Sequence, residues 1–339
     1  MGSWDSGRES IAKPPGYHCD TLMPAEFRNH QIELPATPAG LRLDAALALA
    51  LPQYSRSRLA GWIRDGAVRI NGQAARPRDL MYGGEQVSVQ AEVPPDVTVQ
   101  PQSIPIDVRW QDEHLLVINK PVGLVVHPGA GNPSNTLQNA LLAWDPKLAT
   151  VPRAGIVHRI DKDTSGLLVV ARTIELHTAL VELLREHDIH REYLALVVGK
   201  ATGGGTIDQP IGRHRTDRLK MTVRPDGRDA VTHYRLIERF QNHTLLRVNL
   251  ETGRTHQIRV HMAHAGHPLV GDPAYGGRRQ LRAGDSPQVR AALQGFRRQA
   301  LHATRLAFEH PVTGEAVEVQ TPAPDDLLGL LQVLRDASV

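Results

Sequence analysis

Residues 158–171 read His-Arg-Ile-Asp-Lys-Asp-Thr-Ser-Gly-Leu-Leu-Val-Val-Ala. Ionisable and hydroxyl-bearing side chains crowd its first half, and an unbroken apolar run follows at once. A run that short, rich in branched residues, reads as a buried strand. Polar groups packed against such a strand are costly if they do nothing. The loop is expected to deliver one carboxylate to the sheet edge, with cations beside it to keep it ionised. Asp163 suits a solvated turn capped by Asp and Thr. Asp161, between Ile160 and Lys162, suits that role less well and is the stronger candidate for chemistry.

Further β runs follow the same pattern at 115–118, 193–198 and 245–250. A helix is expected over 176–184, where 176, 180, 183 and 184 are apolar and Thr173 precedes as a cap. Strands follow strands without regular βαβ alternation. The fold class is therefore α+β, a mixed and mostly antiparallel sheet. Residues 276–299, with Arg278-Arg279 and Arg297-Arg298 among Gly and Pro, are read as a mobile basic loop.

Upstream, a smaller module is expected over 39–95. Leu43, Ala46, Leu47, Ala50 and Leu51 fall at helical spacing before Pro52. A second helix holds Leu59, Trp62 and Ile63, capped by Ser55 or Ser57 and stopped by Gly66. Val68 and Ile70 alternate as a strand, Asn71-Gly72 signals a tight turn, and Val87 and Val89 alternate again. Residues 41–90 carry seven arginines against four acidic residues, an excess equal to the +3 of the whole chain. So many on a small module favour a phosphate-binding face, with Arg42, Arg56, Arg58, Arg64 and Arg69 as its candidates. Residues 1–38 lack periodicity and are expected to be a disordered, loosely attached extension. Residues 96–106 read as a linker, and 107–330 as the second domain.

Composition narrows the chemistry. The chain has 339 residues, 41% hydrophobic and 4% aromatic, with 33 arginines against 6 lysines. One cysteine, Cys19, excludes an internal disulfide and any zinc site needing two thiolates. No apolar stretch is long enough to span a bilayer, which leaves a cytoplasmic enzyme or binding protein with no membrane partner. Gly129-Ala-Gly131 lacks the third glycine of a dinucleotide fingerprint, and no P-loop lysine is present. His256, His261, His264 and His267 lack the glutamate of a metalloprotease helix, and Gly266 and Pro268 break any helix there, so no metal is expected. Ser165 is not in a Gly-x-Ser-x-Gly elbow.

With these residues in view, 158–170 resembles the signature of the RluA-type pseudouridine synthases. The resemblance continues through Ile118-Asn-Lys-Pro-Val122, His127-Pro-Gly-Ala-Gly131, Arg191-Glu-Tyr193, Gly253-Arg-Thr-His-Gln-Ile-Arg259 and Leu301-His-Ala303. The upstream module, through Ser55-Arg-Ser-Arg58 and Val68-Arg-Ile-Asn-Gly-Gln73, resembles the S4 domain of ribosomal and RNA-modifying proteins. Together they cover about 41–325. The departures are Ile160, where the family usually shows leucine, and the N-terminal extension.

The resemblance implies a pseudouridine synthase fold, a monomer, and an isomerase that needs no cofactor. Its implied partner is 23S rRNA or a pre-50S particle. Tyr54-Ser-Arg-Ser-Arg58 and Val151-Pro-Arg-Ala-Gly-Ile-Val-His158 point within the family to the helix 69 stem-loop, while a sibling that shares both domains modifies other sites. Asp161 would be the catalytic aspartate, attacking C1′ or removing the C2′ proton. Arg259 would pair with it, and Tyr193 would stack on or deprotonate near the base. Arg159 would fill the gap left by the extruded uridine. His158, Thr164 and Gly166 would shape the loop, and Arg254 would join the substrate contacts. An assembly factor with a dead catalytic domain would have lost Asp161, Tyr193 or Arg259, and all three are present. A glycosidase would usually require two carboxylates at controlled separation.

Overall fold

The computed structural model describes residues 26–338 apart from 37–39, 52–53, 55, 94–98, 130, 277–280 and 283. The chain divides into two compact units, Met1–Thr98 and Val99–Val339. No helix among the described residues is long and apolar enough to cross a membrane.

The N-terminal unit runs β1 (Glu26–Glu33), β2 (Leu41–Arg42), α1 (Leu43–Ala50), α2 (Arg56–Arg64), β3 (Val68–Ile70), β4 (Gln73–Ala74), β5 (Leu80–Met81) and β6 (Gln86–Val93). Its main sheet has the order β1-β6-β3-β4. Asn71 (φ 48°) and Gly72 (φ 82°) make the tight turn between β3 and β4. The left-handed backbone at both positions is what a two-residue hairpin needs. Leu43, Leu47, Leu59, Trp62, Ile63, Val68, Val87 and Val89 form the core, so the helical and strand spacings translate directly into burial.

Part of the expected loose extension belongs to this fold. β1 pairs with β6 along its whole length, from Glu26↔Val93 to Glu33↔Gln86. Leu34 follows at 2% exposure inside the core. Residues 1–25 lie outside the described residues.

The C-terminal unit begins earlier than the expected boundary. Gln102 N donates to Asn139 O, and Val99 and Ile106 pack on its core, so the second half of the expected linker is part of the domain. Its elements are β7 (Asp107–Gln111), β8 (Leu115–Lys120), α3 (Leu137–Trp144), β9 (Ser165–Ala171), α4 (Ile174–Glu186), β10 (His190–Val198), β11 (Gly205–Asp208), β12 (Ile211–Arg213), β13 (Met221–Val223), β14 (Val231–Arg239), β15 (His243–Leu250), α5 (Gln257–His264), α6 (Pro287–Gly295), β16 (Leu301–Glu309), β17 (Ala316–Gln320) and α7 (Asp325–Asp336). The main sheet runs β11-β14-β15-β10-β16-β9-β8-β7, with β17 beside β16. Of its pairings only β16 with β9 is parallel. The sheet is thus mixed and mostly antiparallel, as the strand-after-strand sequence implied.

The central strands are covered on both faces, which explains their unbroken apolar runs. Leu168 and Val170 of β9 face one core with α3, while Leu167, Val169 and Ala171 face another with Leu176 and Leu180 of α4. Thr173 caps α4, its hydroxyl accepting from Leu176 N. Such a cap contributes about 1 kcal/mol.

Three expectations in this unit are corrected. Residues 287–295 are a helix, with Ser286 as cap and Pro287 at the first position, rather than loop. Arg278 and Arg279 lie outside the described residues. Residues 257–264 also form a helix, α5, because Gly266 and Pro268 fall after its end rather than within it. Finally, α7 carries the domain past residue 330, with Leu331 and Leu334 buried.

Candidate active site

Asp161 stands in the turn that leads into β9, where Thr164 N donates to Asp161 O at 3.1 Å. Several long-range bonds pin this turn. Lys120, fully buried at the end of β8, donates from Nζ to the carbonyls of Pro121, Leu124 and Lys162. Burial pushes its ammonium down to about 7, against the opposing pull of Asp163 and Asp161. Gln299 Nε2 donates to Thr164 Oγ1, Ser165 Oγ meets His302 Nδ1 at 2.9 Å, and Arg298 reaches Asp163 O. Gly166 (φ 115°) lets β9 press against β16, since a Cβ there would lie 2.2 Å from Ala303 O. Only glycine fits both that conformation and that gap.

Arg259 sits in the first turn of α5 and donates from Nη1 to Asp161 Oδ2 at 2.9 Å. Its remaining face is clamped by Asp272, which accepts from Nε at 2.7 Å and from Nη2 at 2.9 Å. Asp272 also accepts from the backbone N–H of Ala274 and Tyr275. The guanidinium lies over the Tyr275 ring, 5.1 Å from its centroid. Burial opposes the Arg259 charge, but the bonds and charges of Asp272 and Asp161 outweigh it and hold the group above its ordinary value. One cation is thereby fixed in position and aimed at one carboxylate.

His256, in left-handed conformation at the start of α5, places Nε2 3.9 Å from Asp161 Oδ1 and Nδ1 2.7 Å from the Tyr275 hydroxyl. Burial pushes this imidazole down, while Asp161 pulls it the other way. Tyr193 lies on β10 at 6% exposure. The pairing of β10 with β16 shifts between Glu192 and Tyr193 because β16 carries one extra residue, Thr304, there, while the pairing of β10 with β15 runs on without a break. Burial drives the Tyr193 phenol upward, with Arg191 opposing and Asp161 adding to the effect.

Asp161, Tyr193, Arg259, Arg159, Thr164 and Arg254 line one pocket. Arg159 is exposed, and Arg254 is tied by Nε to Asp229 O. His158 lines the adjoining groove instead, its Nε2 accepting from Val169 N at 3.2 Å. That bond requires the proton on Nδ1. The sequence reading missed Asp272, Lys120, Arg191 and the nearness of His256 to Asp161. Lys120, Arg191 and His256 all sit within the quoted motifs, whereas Asp272 carries no local signal. Of the four histidines weighed as metal ligands, His261 is buried between Thr232 Oγ1 and Gln209 O. No cluster of three or more His, Cys, Asp or Glu suited to a metal occurs among the described residues.

In the N-terminal unit, Arg42, Arg64, Arg76 and Arg78 line one open groove with Asp44 and Asp79. Arg56 reaches it through Asp44 at 2.8 Å. Arg58 and Arg69 are not among its lining residues, and Arg69 points Nη1 towards Gly72 O.

A family model described as RNA pseudouridylate synthase matches residues 114–264, and one described as S4 domain matches 41–87. The chain is 57% identical to the ribosomal large subunit pseudouridine synthase D of Xanthomonas campestris pv. campestris, over 93% of this chain and 95% of that protein. It is 53% identical to the protein of the same name from Escherichia coli K12, over 90% and 95%. Among solved structures, human RNA pseudouridylate synthase domain containing 4 aligns with a TM-score of 0.54 at 27% identity, over 68% of this chain and 93% of that one.

Proposed function

The chain belongs to the RluA family of pseudouridine synthases that carry an S4 domain, and on that premise we propose that it converts uridine to pseudouridine in 23S rRNA, within the helix 69 stem-loop. The reaction detaches uracil from ribose C1′, turns it, and rejoins it through C5. It needs no net oxidation and no energy input. What it does need is one placed carboxylate, a fixed cation beside it, and a pocket that takes a base out of its stack.

One observation carries the reading. Among the described residues Asp161 is the only carboxylate lining the catalytic pocket, and a guanidinium locked by Asp272 is bonded to it at 2.9 Å. Asp161 acts as the catalytic aspartate. Arg259 holds its orientation and charge, and Tyr193, which lines the pocket with Ile160, Leu250 and Leu301, supplies a rigid face for the base. Arg159, exposed at the pocket rim, occupies the gap that the flipped uridine leaves. The N-terminal arginines contribute phosphate contacts, which position an RNA without performing chemistry.

The test is to map pseudouridines in rRNA from a strain lacking the gene and from the complemented strain. Loss of the helix 69 modifications, restored by wild type and not by Asp161→Asn, is the expected result. An unchanged helix 69 with sites lost elsewhere would reject the target, and no lost site anywhere would reject the substrate.

A further inference from the structure

Arg191 has no role in the account above, yet its surroundings are unusual. It precedes Tyr193 by two residues on β10, so both side chains point to the same face of the sheet. It is 7% exposed and makes no ion pair among the described residues. Among the described residues its one hydrogen bond runs from Nη2 to the backbone carbonyl of Glu251 at 2.9 Å, and Nε has no partner. Room for the guanidinium is made by Gly253, where a Cβ would stand 2.9 Å from Arg191 Nη1. A buried cation with an orphaned donor is expensive unless an anion completes it.

Arg191 also lies where two cavities meet. It lines the catalytic pocket, and it lines a neighbouring open groove. That groove holds Arg153, Arg159, Arg185, His127 and His158, and no carboxylate is among its lining residues. Arg185 is engaged by Glu182 of its own helix. Arg153 and Arg159 make no ion pair among the described residues. Arg153 is held outward by a backbone turn in which Arg153, Ala154 and Gly155 are all left-handed (φ 55°, 52° and 81°). Gly155 is obligatory there, because a Cβ would meet Ala171 O at 1.8 Å. Strain of this kind persists only where the surroundings enforce it.

We propose that Arg191 is a phosphate seat: a backbone phosphodiester beside the flipped nucleotide enters the groove, completes Arg191, and continues past Arg159 to Arg153. This rests on the reading of the chain as an enzyme that acts on RNA. The anion is a phosphodiester because the free donors are planar guanidinium groups spaced along an open channel. A single small anion would need only one of them. Fixing the phosphate next to the pocket determines how far a uridine can swing towards Asp161, which makes Arg191 a positioning residue.

The full chain is titrated with unmodified 23S rRNA transcript across a salt series, and pseudouridine formation is followed on the same RNA. Arg191→Gln is expected to weaken binding about tenfold and to lower the slope of log affinity against log salt by about 0.7–0.9, one phosphate contact. KM should rise more than kcat falls, and Arg191→Lys should recover the slope. Arg153→Ala, at an exposed position, should lower the slope without altering the melting temperature. Unchanged slopes in Arg191→Gln and Arg153→Ala would overturn the proposal, as would a loss confined to kcat, which would make Arg191 a prop for Tyr193. If Arg191→Gln does not fold, the slope of Arg153→Ala decides, since Arg191→Lys is expected to keep the wild-type slope. Absence of pseudouridine with the wild type would defeat the functional reading and leave the slopes to judge this one.

Discussion

Arg259 and Arg42 each meet an aspartate at hydrogen-bond distance, but their settings differ. The Arg259 side chain is 7% exposed, shared between Asp161 and an Asp272 that water does not reach. The Arg42 side chain is 44% exposed, and its partner Asp44 also serves Arg56. The first arrangement is buried, convergent and irreplaceable member by member. The second is solvated and distributed, so each arginine contributes a small share of a common field. Exposed pairs are screened and worth about 0–1 kcal/mol, whereas removing one partner from a buried pair costs about 3–5 kcal/mol. Chemistry and affinity are therefore expected to respond differently to mutation: abruptly in the C-terminal unit, gradually in the N-terminal one.

The largest effect should come from Asp161→Asn. The substitution preserves shape and removes the reactive charge, so the protein should fold, bind rRNA, and form no pseudouridine. Turnover within about tenfold of wild type would be incompatible with a role worth many kcal/mol of barrier. Asp272→Asn comes next. Asp272 does not line the pocket, but the substitution removes the charge that clamps Arg259 and turns one of its two acceptors into an amide N–H donor in a dry environment. A stability loss of about 3–5 kcal/mol by denaturant titration is expected, together with a fall in kcat. Full activity in a destabilised Asp272→Asn enzyme would show that the aim of Arg259 is unimportant.

The same contrast can be tried on stability at the other end of the chain. Leu34→Ala removes a buried side chain just after β1 and should cost about 2–5 kcal/mol. The cost should appear in the melting of the N-terminal unit and leave the catalytic unit unchanged. Deleting residues 1–36 should act in the same direction and more strongly. No change on deletion would return β1 to the dispensable extension that the sequence alone suggests.

Acid should act on the catalytic unit through His158. Burial, with Arg191 nearby, pushes its imidazole down to about 3, while an unfolded histidine titrates near 6.5. Below about 6.5 the unfolded chain therefore binds a proton that the native chain refuses. Stability should hold above that pH and decline as pH falls towards 3. His158→Gln should flatten that decline, as read from denaturant midpoints across the range. An identical pH profile in His158→Gln would remove His158 from the explanation.

What could be read in advance follows the range of the interactions. Asn71-Gly72 and Thr173 act on their immediate neighbours, and both do what local rules predict. Asp161 was legible because its loop concentrates polar groups against an apolar strand. Asp272 was not, because its partner lies 13 residues away across a turn and its other acceptors are backbone amides. Lys120 contacts a carbonyl 42 residues on, and nothing near it in sequence announces burial. β1 was missed because Glu-Phe-Arg-Asn-His-Gln-Ile-Glu has almost no alternation, and its order comes from β6. At α6 the Ser286-Pro287 start signal was present but outweighed by the paired arginines around it.

The smallest effect should come from single arginines of the N-terminal groove. Arg64 and Arg76 line it from α2 and from the segment before β5. Removing either to Ala should weaken rRNA binding only a few-fold and lower the salt slope by less than one, because each contributes at most one phosphate contact. The double variant should lower it by about the sum, since the charges are solvated and act through a shared field rather than a locked geometry. Turnover at saturating RNA should stay at the wild-type value. A single substitution that abolished binding, or one that lowered kcat, would mean that this groove is as convergent as the site around Arg259, and the contrast between the two units would fail.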